Sequence, residues 1–471
     1  MYTIPFVVAS FSSLYPATIV EYRPTPASLP VMAESDVRPY DYGPQLPKPN
    51  AGHFKLSTPK YPESYTGSAP PSSISIHLRG EAIQSDDTLR KHLTGNTLNT
   101  HNDFLKQLLP REMLPFPINI NLLNKLSVPV GANPPIWNER KSCFCQPPTH
   151  FGETAICQWL NNIGTTMGLV YGRPCERLWW SGYCGSPLVD SSIQRKPDLI
   201  LLDRSYYDRV LQKDSAGAEW TFVRAFGVLH RPYMANDSIN IKSYLTFLRQ
   251  PHRRFTISLS FFNINNGQFS ITVTDRAGRI HINKIDLMGN SVENGLLMLS
   301  TLAFLMFGSS ADIGLDPHFE INPFNGQVTA IQCESRRFEV VDRIHTSPFL
   351  FGRGTQVWIV VHQGTKYVLK DSWVREDCVH NEVVYLRKMV PFLKDLEDRV
   401  PTLLCGGEVI VNGREDSTRH YCSARSSYRI HRCTVTSPVG ETIISFKSKK
   451  EFIRVLISVI ESKFIYFQPE D

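Results

Sequence analysis

The pattern of apolar and polar positions predicts folded structure from about residue 85 onward. Residues 1–84 hold 13 of the 33 prolines, and their apolar residues show no periodicity that lasts a full helical turn. A segment of this composition buries too little apolar surface to offset the entropy lost on ordering. We therefore predict that residues 1–84 are disordered. A helix is predicted next, from an N-cap at Ser85 to a stop at Pro110, with Gly95 as a candidate break.

The middle of the chain alternates between helical and extended patterns. Apolar residues recur at helical spacing from Ala155 to Ile163, which predicts a buried helix. The continuous apolar run 199–202 predicts a buried strand, and a second strand is expected over 220–228. Period-two alternation over 255–261 and 269–273, with Asn266-Gly267 between them, predicts an antiparallel hairpin. An apolar helix over 296–307 is expected to cover this sheet, giving an α+β fold.

The segment most informative about chemistry follows residue 350. Phe351-Gly352-Arg353-Gly354-Thr355 precedes one predicted strand, and a hairpin through Gly364 leads to another strand that carries Lys370. Glycines let backbone N–H groups approach phosphates closely, and a lysine on the third strand can reach the α- and β-phosphates of a nucleotide. Glu382 follows twelve residues later in a helical pattern, where it could hold that lysine by an ion pair.

Several stretches of the sequence resemble the fungal-type protein kinase family. The stretch Leu369-Lys370-Asp371-Ser372-Trp373 is the most specific, and it is joined by Phe351 to Thr355, Arg195 to Leu199 and Ser445 to Glu451. The resemblance covers roughly residues 150 to 471. Together with the composition of residues 1–84, it divides the chain into three parts. These are a disordered segment over 1–84, a fungal-kinase N-terminal α+β region over 85–345, and a kinase-like N-lobe with the first C-lobe helix over 346–471. The C-lobe is expected to be truncated in this chain.

The same resemblance implies an ATP site and, for the full-length family, Ser/Thr phosphoryl transfer to a protein substrate with Mg²⁺. Lys370 is then the ATP lysine, Glu382 its helix partner, and Ile359 the apolar residue over the adenine. Val357 stands where kinases often carry a third glycine. The implied ATP-binding residues are Gly352, Gly354, Thr355, Ile359, Lys370 and Glu382.

The sequence lacks the residues that a kinase uses for the chemical step. A kinase needs an aspartate base in an H-R-D-x-x-x-x-N loop and a metal-binding Asp-Phe-Gly. His431-Arg432-Cys433 has cysteine in place of the base, and Asp312-Ile313-Gly314 lies upstream of the glycines, where we predict only a turn. We therefore expect no catalytic base, no Mg²⁺ ligands and weak or lost ATP binding. The alternative function is a non-catalytic pseudokinase or scaffold that binds nucleotide weakly or binds a partner protein.

Composition narrows the class of protein further. A net charge of +6, from 50 basic and 44 acidic residues spread along the chain, gives no basic face for nucleic acid. Ten cysteines in 471 residues are too sparse for a disulfide scaffold, and neither a signal peptide nor a run long enough to cross a bilayer is visible. We expect a protein of the cytoplasm or nucleus that is not in a membrane.

The sequence also suggests two other sites, a metal-dependent phosphodiesterase site and a zinc site. Pro197-Asp198 suggests a metal-dependent phosphodiesterase, but the Glu-x-Lys expected on the next strand is replaced by Val228-Leu229-His230. A zinc site is suggested by cysteines and a histidine whose spacing departs from the common structural patterns, so reduced thiols are the favoured interpretation. Its candidate ligands are Cys143, Cys145, His150 and Cys157.

Overall fold

The computed structural model describes residues 97–100 and 114–466, apart from internal gaps. The gaps are residues 146, 149–151, 183–187, 189–196, 213–216, 230–236, 263–266, 283–284, 288, 348, 379–381, 390–400, 421–426 and 441–445. The segment 1–84, predicted to be disordered, lies outside the described residues.

The described residues form seven α-helices and nineteen strands. The helices are α1 (Ile120–Leu126), α2 (Glu153–Tyr171), α3 (Arg204–Gln212), α4 (Asp237–Arg249), α5 (Val292–Phe307), α6 (Glu382–Met389) and α7 (Lys449–Tyr466). The strands are β1 (Thr97–Thr100), β2 (Trp137–Asn138), β3 (Cys143–Phe144), β4 (Arg177–Trp180), β5 (Leu199–Asp203), β6 (Val223–Leu229), β7 (Phe255–Phe262), β8 (Gln268–Asp275), β9 (Gly278–Ile282), β10 (Ile285–Asp286), β11 (Phe319–Ile321), β12 (Val328–Cys333), β13 (Arg336–Thr346), β14 (Gln356–His362), β15 (Thr365–Arg375), β16 (Thr402–Glu408), β17 (Ile410–Val411), β18 (Arg414–Glu415) and β19 (Arg429–Ser437).

An eight-stranded sheet forms the first half of the fold, and we call it the N-terminal sheet. Its strands follow the order β1-β9-β8-β7-β6-β5-β4, with β10 paired to β8. The sequence predicted an antiparallel sheet, and this is partly wrong because β1 pairs with β9, and β6 with β7, in parallel. The parallel β6–β7 pair requires a crossover connection, which α4 supplies. The helix predicted over 85–110 is also wrong at β1, whose backbone extends the sheet at the edge of β9.

Helices cover both faces of the N-terminal sheet, which explains the sequence patterns of its strands. In β5, Leu199 and Leu201 face α2 and α5, whereas Ile200 and Leu202 face α3 and α4. A strand that is buried on both faces is a continuous apolar run. In β7 only one face is apolar, and the other bears Thr256, whose hydroxyl donates to Ser243 of α4 at 3.3 Å. The alternation in β7 therefore marks two buried faces with different chemistry.

The second half of the fold is a seven-stranded sheet, which we call the C-terminal sheet. Its order is β11-β12-β13-β14-β15-β19-β16, and all its neighbours are antiparallel. The meander β13-β14-β15 matches the strand, turn and hairpin predicted around the glycines. The sheet begins at Phe319, upstream of residue 346, where the sequence placed the start of that domain. In the part of the chain that the structure describes, no helix is both long and apolar enough to span a membrane.

Candidate functional site

Strand β15 places two consecutive charged residues on opposite faces of the C-terminal sheet. Side chains alternate along a strand, so Lys370 and Asp371 point in opposite directions. In the register of β14 and β15, Lys370 lies opposite Val357 and Val368 lies opposite Ile359. These four residues therefore share one face, which we call the lysine face. It presents an amine beside a small apolar surface.

The lysine face holds the ion pair that the spacing in the sequence suggested. Lys370 Nζ lies 2.6 Å from Oε2 of Glu382, which is the first residue of α6. Helix α6 is fixed by the buried side chains of Val383 and Leu386, and by Arg387, which donates to the carbonyl of Gly406 on β16 at 2.9 Å. The Glu382 side chain is 48% exposed and that of Lys370 is 16% exposed. The pair is thus open to solvent and to a ligand, and its role toward ATP stays a prediction.

The connection from β13 to β14, residues 347–355, contains Gly352, Gly354 and Thr355, and we call it the glycine loop. It continues past Lys370 alongside β15, where Trp373 N–H donates to the Arg353 carbonyl at 2.7 Å. Ser347 N–H donates to the Thr355 carbonyl at 2.8 Å and closes the base of the loop. Both glycines have positive φ, +116° at Gly352 and +52° at Gly354. This conformation costs glycine little and other residues more, which explains the two glycines.

The opposite face of β15 carries a buried charge network between the two sheets. We call His431, Asp371, Asp416, Asp316 and Arg254 the aspartate–histidine cluster. His431 Nε2 lies 2.8 Å from Asp371 Oδ1, and its Nδ1 lies 3.0 Å from Asp416 Oδ2. Asp316 Oδ2 lies 3.7 Å from the same Nδ1. All five residues are buried, with exposed fractions of 5% or less.

Electrostatics favour the charged form of the histidine in this cluster. Burial disfavours an imidazolium, but Asp371, Asp416 and Asp316 outweigh it and raise the pKa of His431 well above its usual value. The ring of Trp373 stacks on the imidazole, with centroids 4.4 Å apart and planes 7° apart. Arg254 of the N-terminal sheet completes the cluster by donating to Asp416 at 2.9 Å. The cluster thus ties strand β15 to the N-terminal sheet.

The residues that imitate catalytic motifs have structural roles. His431-Arg432-Cys433 lies within β19 and not in a loop. Asp312 is in a turn, as predicted, where its carboxylate accepts from the hydroxyl of Ser309 at 2.6 Å.

The two rival sites have structural explanations of a similar kind. Asp198 accepts from Leu229 N–H at 2.8 Å and lies 3.8 Å from Lys242, so its carboxylate bridges β6 and α4. Among the described residues, no group of three or more His, Cys, Asp or Glu side chains is placed to hold a metal ion. His150, one of the candidate zinc ligands, lies outside the described residues.

Sequence reasoning missed both contacts through which the N-terminal sheet reaches β15 and the glycine loop. One is the aspartate–histidine cluster, for which Asp371 within the Leu369 to Trp373 stretch was the available signal. The other is Arg276, in the turn after β8, which contacts the glycine loop directly. Contacts between residues about 60 to 160 positions apart leave no local pattern.

Comparison with known proteins gives one match. The family described as fungal protein kinase matches residues 196–468, which is more than half of the chain. No curated protein and no solved structure matches it.

Proposed function

The chain belongs to the fungal protein kinase family, and from that premise we propose that it binds ATP on the lysine face of the C-terminal sheet. Lys370 would contact the α- and β-phosphates, Glu382 would hold Lys370 in place, and Gly352, Gly354 and Thr355 would lie at the phosphates. Ile359 and Val368 would contact the adenine. The observation that carries the proposal is the 2.6 Å pair between Lys370 and Glu382.

The order of the elements supports this proposal. Lys370 is on the third strand of the meander β13-β14-β15, and the glycine loop joins the first two strands. Glu382 begins the helix between β15 and β16. A lysine on the third strand, paired with a glutamate on the following helix, is the arrangement by which protein kinases hold the phosphates of ATP. The ion pair keeps the ammonium group extended toward the phosphates and lowers the entropic cost of binding.

We propose that this chain by itself transfers little or no phosphate. Catalysis of phosphoryl transfer depends on positioning and on charge stabilisation by an aspartate base and Mg²⁺ ligands. The sequence has no H-R-D-x-x-x-x-N or Asp-Phe-Gly pattern. Among the residues that the structure describes, no group of three or more His, Cys, Asp or Glu side chains is placed to hold a metal ion. We therefore include no metal held by protein side chains in the proposed site. Any Mg²⁺ would arrive on the phosphates of the nucleotide.

A thermal shift with Mg-ATP tests the binding site. We expect Mg-ATP to raise the melting temperature of the wild type, Lys370→Met to abolish that shift, and Lys366→Met to keep it. Lys366 is the matched control because it lies on the same strand, four residues away, and is exposed. Equal shifts in the wild type and Lys370→Met would exclude Lys370 as the ATP lysine. No shift in the wild type would exclude the site.

A transfer assay separates the two candidate functions. With radiolabelled ATP and a general acceptor protein, we expect no label transfer above the level of a heat-denatured sample. Transfer that depends on Lys370 would contradict the proposed inactivity and would favour the kinase over the non-catalytic pseudokinase or scaffold.

A further inference from the structure

Arg276, in the turn between β8 and β9, reaches out of the N-terminal sheet and contacts the glycine loop at several points. Its guanidinium Nη1 donates to the carbonyls of Leu350 at 3.1 Å and Phe349 at 3.3 Å. Its own carbonyl accepts from Gly352 N–H at 2.9 Å. Arg276 thus binds the loop through two of the loop's carbonyl groups and one of its N–H groups.

Apolar packing surrounds this contact. The Arg276 guanidinium lies over the ring of Phe247 on α4, 4.4 Å from its centroid. Leu350 belongs to the same buried cluster as Phe247 and Tyr244, with Phe351 packed against it. A desolvated cation is attracted to the face of an aromatic ring. Arg276 therefore contacts the loop within a packed and largely dry environment.

Gly354 is shaped by the same arginine. A Cβ added at Gly354 would lie 2.5 Å from Arg276 Nε, closer than any side chain tolerates. Arg276 itself is only 5% exposed, and its Nε has no hydrogen-bond partner among the residues that the structure describes. Glycine is needed here because the arginine passes directly against the backbone of the loop.

The start of β14, directly after the glycine loop, is held from the face of the sheet opposite to Lys370. Gln356 lies opposite Asp371 in the β14–β15 register, so it shares the face of the aspartate–histidine cluster, and its side-chain amide donates to Pro251 at 2.6 Å. Of the residues that end the glycine loop, Arg353 is exposed, whereas Gly354 and Thr355 are buried.

We propose that Arg276 is a positioning residue for nucleotide binding, which fixes the conformation of the glycine loop beside the lysine face. The proposal rests on the proposed function of the lysine face. On this proposal the N-terminal sheet supports the nucleotide site through Arg276, although its residues would not touch the nucleotide.

The test compares phosphate-dependent with phosphate-independent binding. We expect Arg276→Gln to weaken the affinity for Mg-ATP at least about tenfold, the usual effect of losing a hydrogen bond from a charged group. The affinity for adenosine, measured in the same calorimetric titrations, should not change. Arg254→Gln is the matched control, because it removes another buried arginine that joins the two sheets without contacting the glycine loop. Its ratio of ATP to adenosine affinity should equal that of the wild type.

The outcomes are distinguishable. Wild type that binds neither ligand overturns the proposed function and the role of Arg276 with it. Wild type that binds both ligands, with Arg276→Gln binding ATP equally well, overturns the role of Arg276 alone. Hydrogen–deuterium exchange of the peptide 347–355 gives a readout without nucleotide. Exchange must be faster in Arg276→Gln than in Arg254→Gln, and equal protection in the two variants would also overturn the proposal.

Discussion

The two faces of β15 hold charged residues in opposite ways. On the lysine face, Lys370 and Glu382 form one partly exposed pair. On the other face, Asp371 joins His431, Asp416, Asp316 and Arg254 in a cluster from which water is excluded. Consecutive residues of one strand therefore serve a site that is open to a ligand and a contact that joins two sheets.

The difference follows from how far each face is buried. On the cluster face all five side chains are buried, so every charge there needs a partner at hydrogen-bond distance. On the lysine face the exposed carboxylate of Glu382 is hydrated, and the pair can break and re-form when a ligand arrives. Stability should depend on the cluster face, and ligand binding on the lysine face.

Removing the histidine should give the largest effect on stability. His431→Leu leaves Asp371 and Asp416 without their histidine partner, and breaking a buried ion pair from one side costs about 3–5 kcal/mol. We expect the free energy of unfolding in urea to fall by that amount. His362→Leu, at a half-buried histidine of β14, should cost less than about 1 kcal/mol. Equal losses in the two variants would show that the buried cluster contributes nothing special.

The same cluster predicts how stability depends on pH. The pKa of His431 is raised in the folded state by Asp371, Asp416 and Asp316 against the opposing effect of burial. Such a group contributes its full stability below the unfolded pKa, about 6.5, and loses it as the pH rises through the folded pKa. Arg254 and His318 also contact these aspartates.

We therefore expect the urea unfolding free energy of the wild type to decrease above about pH 6.5. A variant that folds without the histidine should lack this component of the slope. A wild-type stability that rises through the same range would show that His431 is neutral in the folded protein.

Local patterns in the sequence were sufficient to predict most individual elements. The alternation over 255–261, the apolar run at 199–202 and the hairpin through Gly364 are each set by neighbours in the chain, so β7, β5 and the β14–β15 hairpin were predicted. Lys370 and Glu382 were placed together because a strand and the following helix bring them there after twelve residues. These features depend on short-range geometry, which a sequence displays directly.

The pairing of distant segments could not be predicted in the same way. Strand β1 lies where a helix was expected, because it pairs with the backbone of β9, 182 residues further along the chain. Asp371 was interpreted only as part of a family stretch, since its partner His431 is 60 residues away. Tertiary context decided these positions, and local propensity did not.

The smallest effect on stability is expected on the lysine face, where it sharpens the contrast most. Lys370→Met removes a partly exposed ion pair, which is worth about 1 kcal/mol or less. We expect the urea midpoint to shift little and the slope of the unfolding free energy against urea concentration to stay the same. Mg-ATP should no longer raise the melting temperature. Glu382→Gln should behave alike, because a neutral amide cannot hold the ammonium group by charge. If Lys370→Met destabilised the protein as much as His431→Leu, both faces of β15 would be structural and the division between them would not hold.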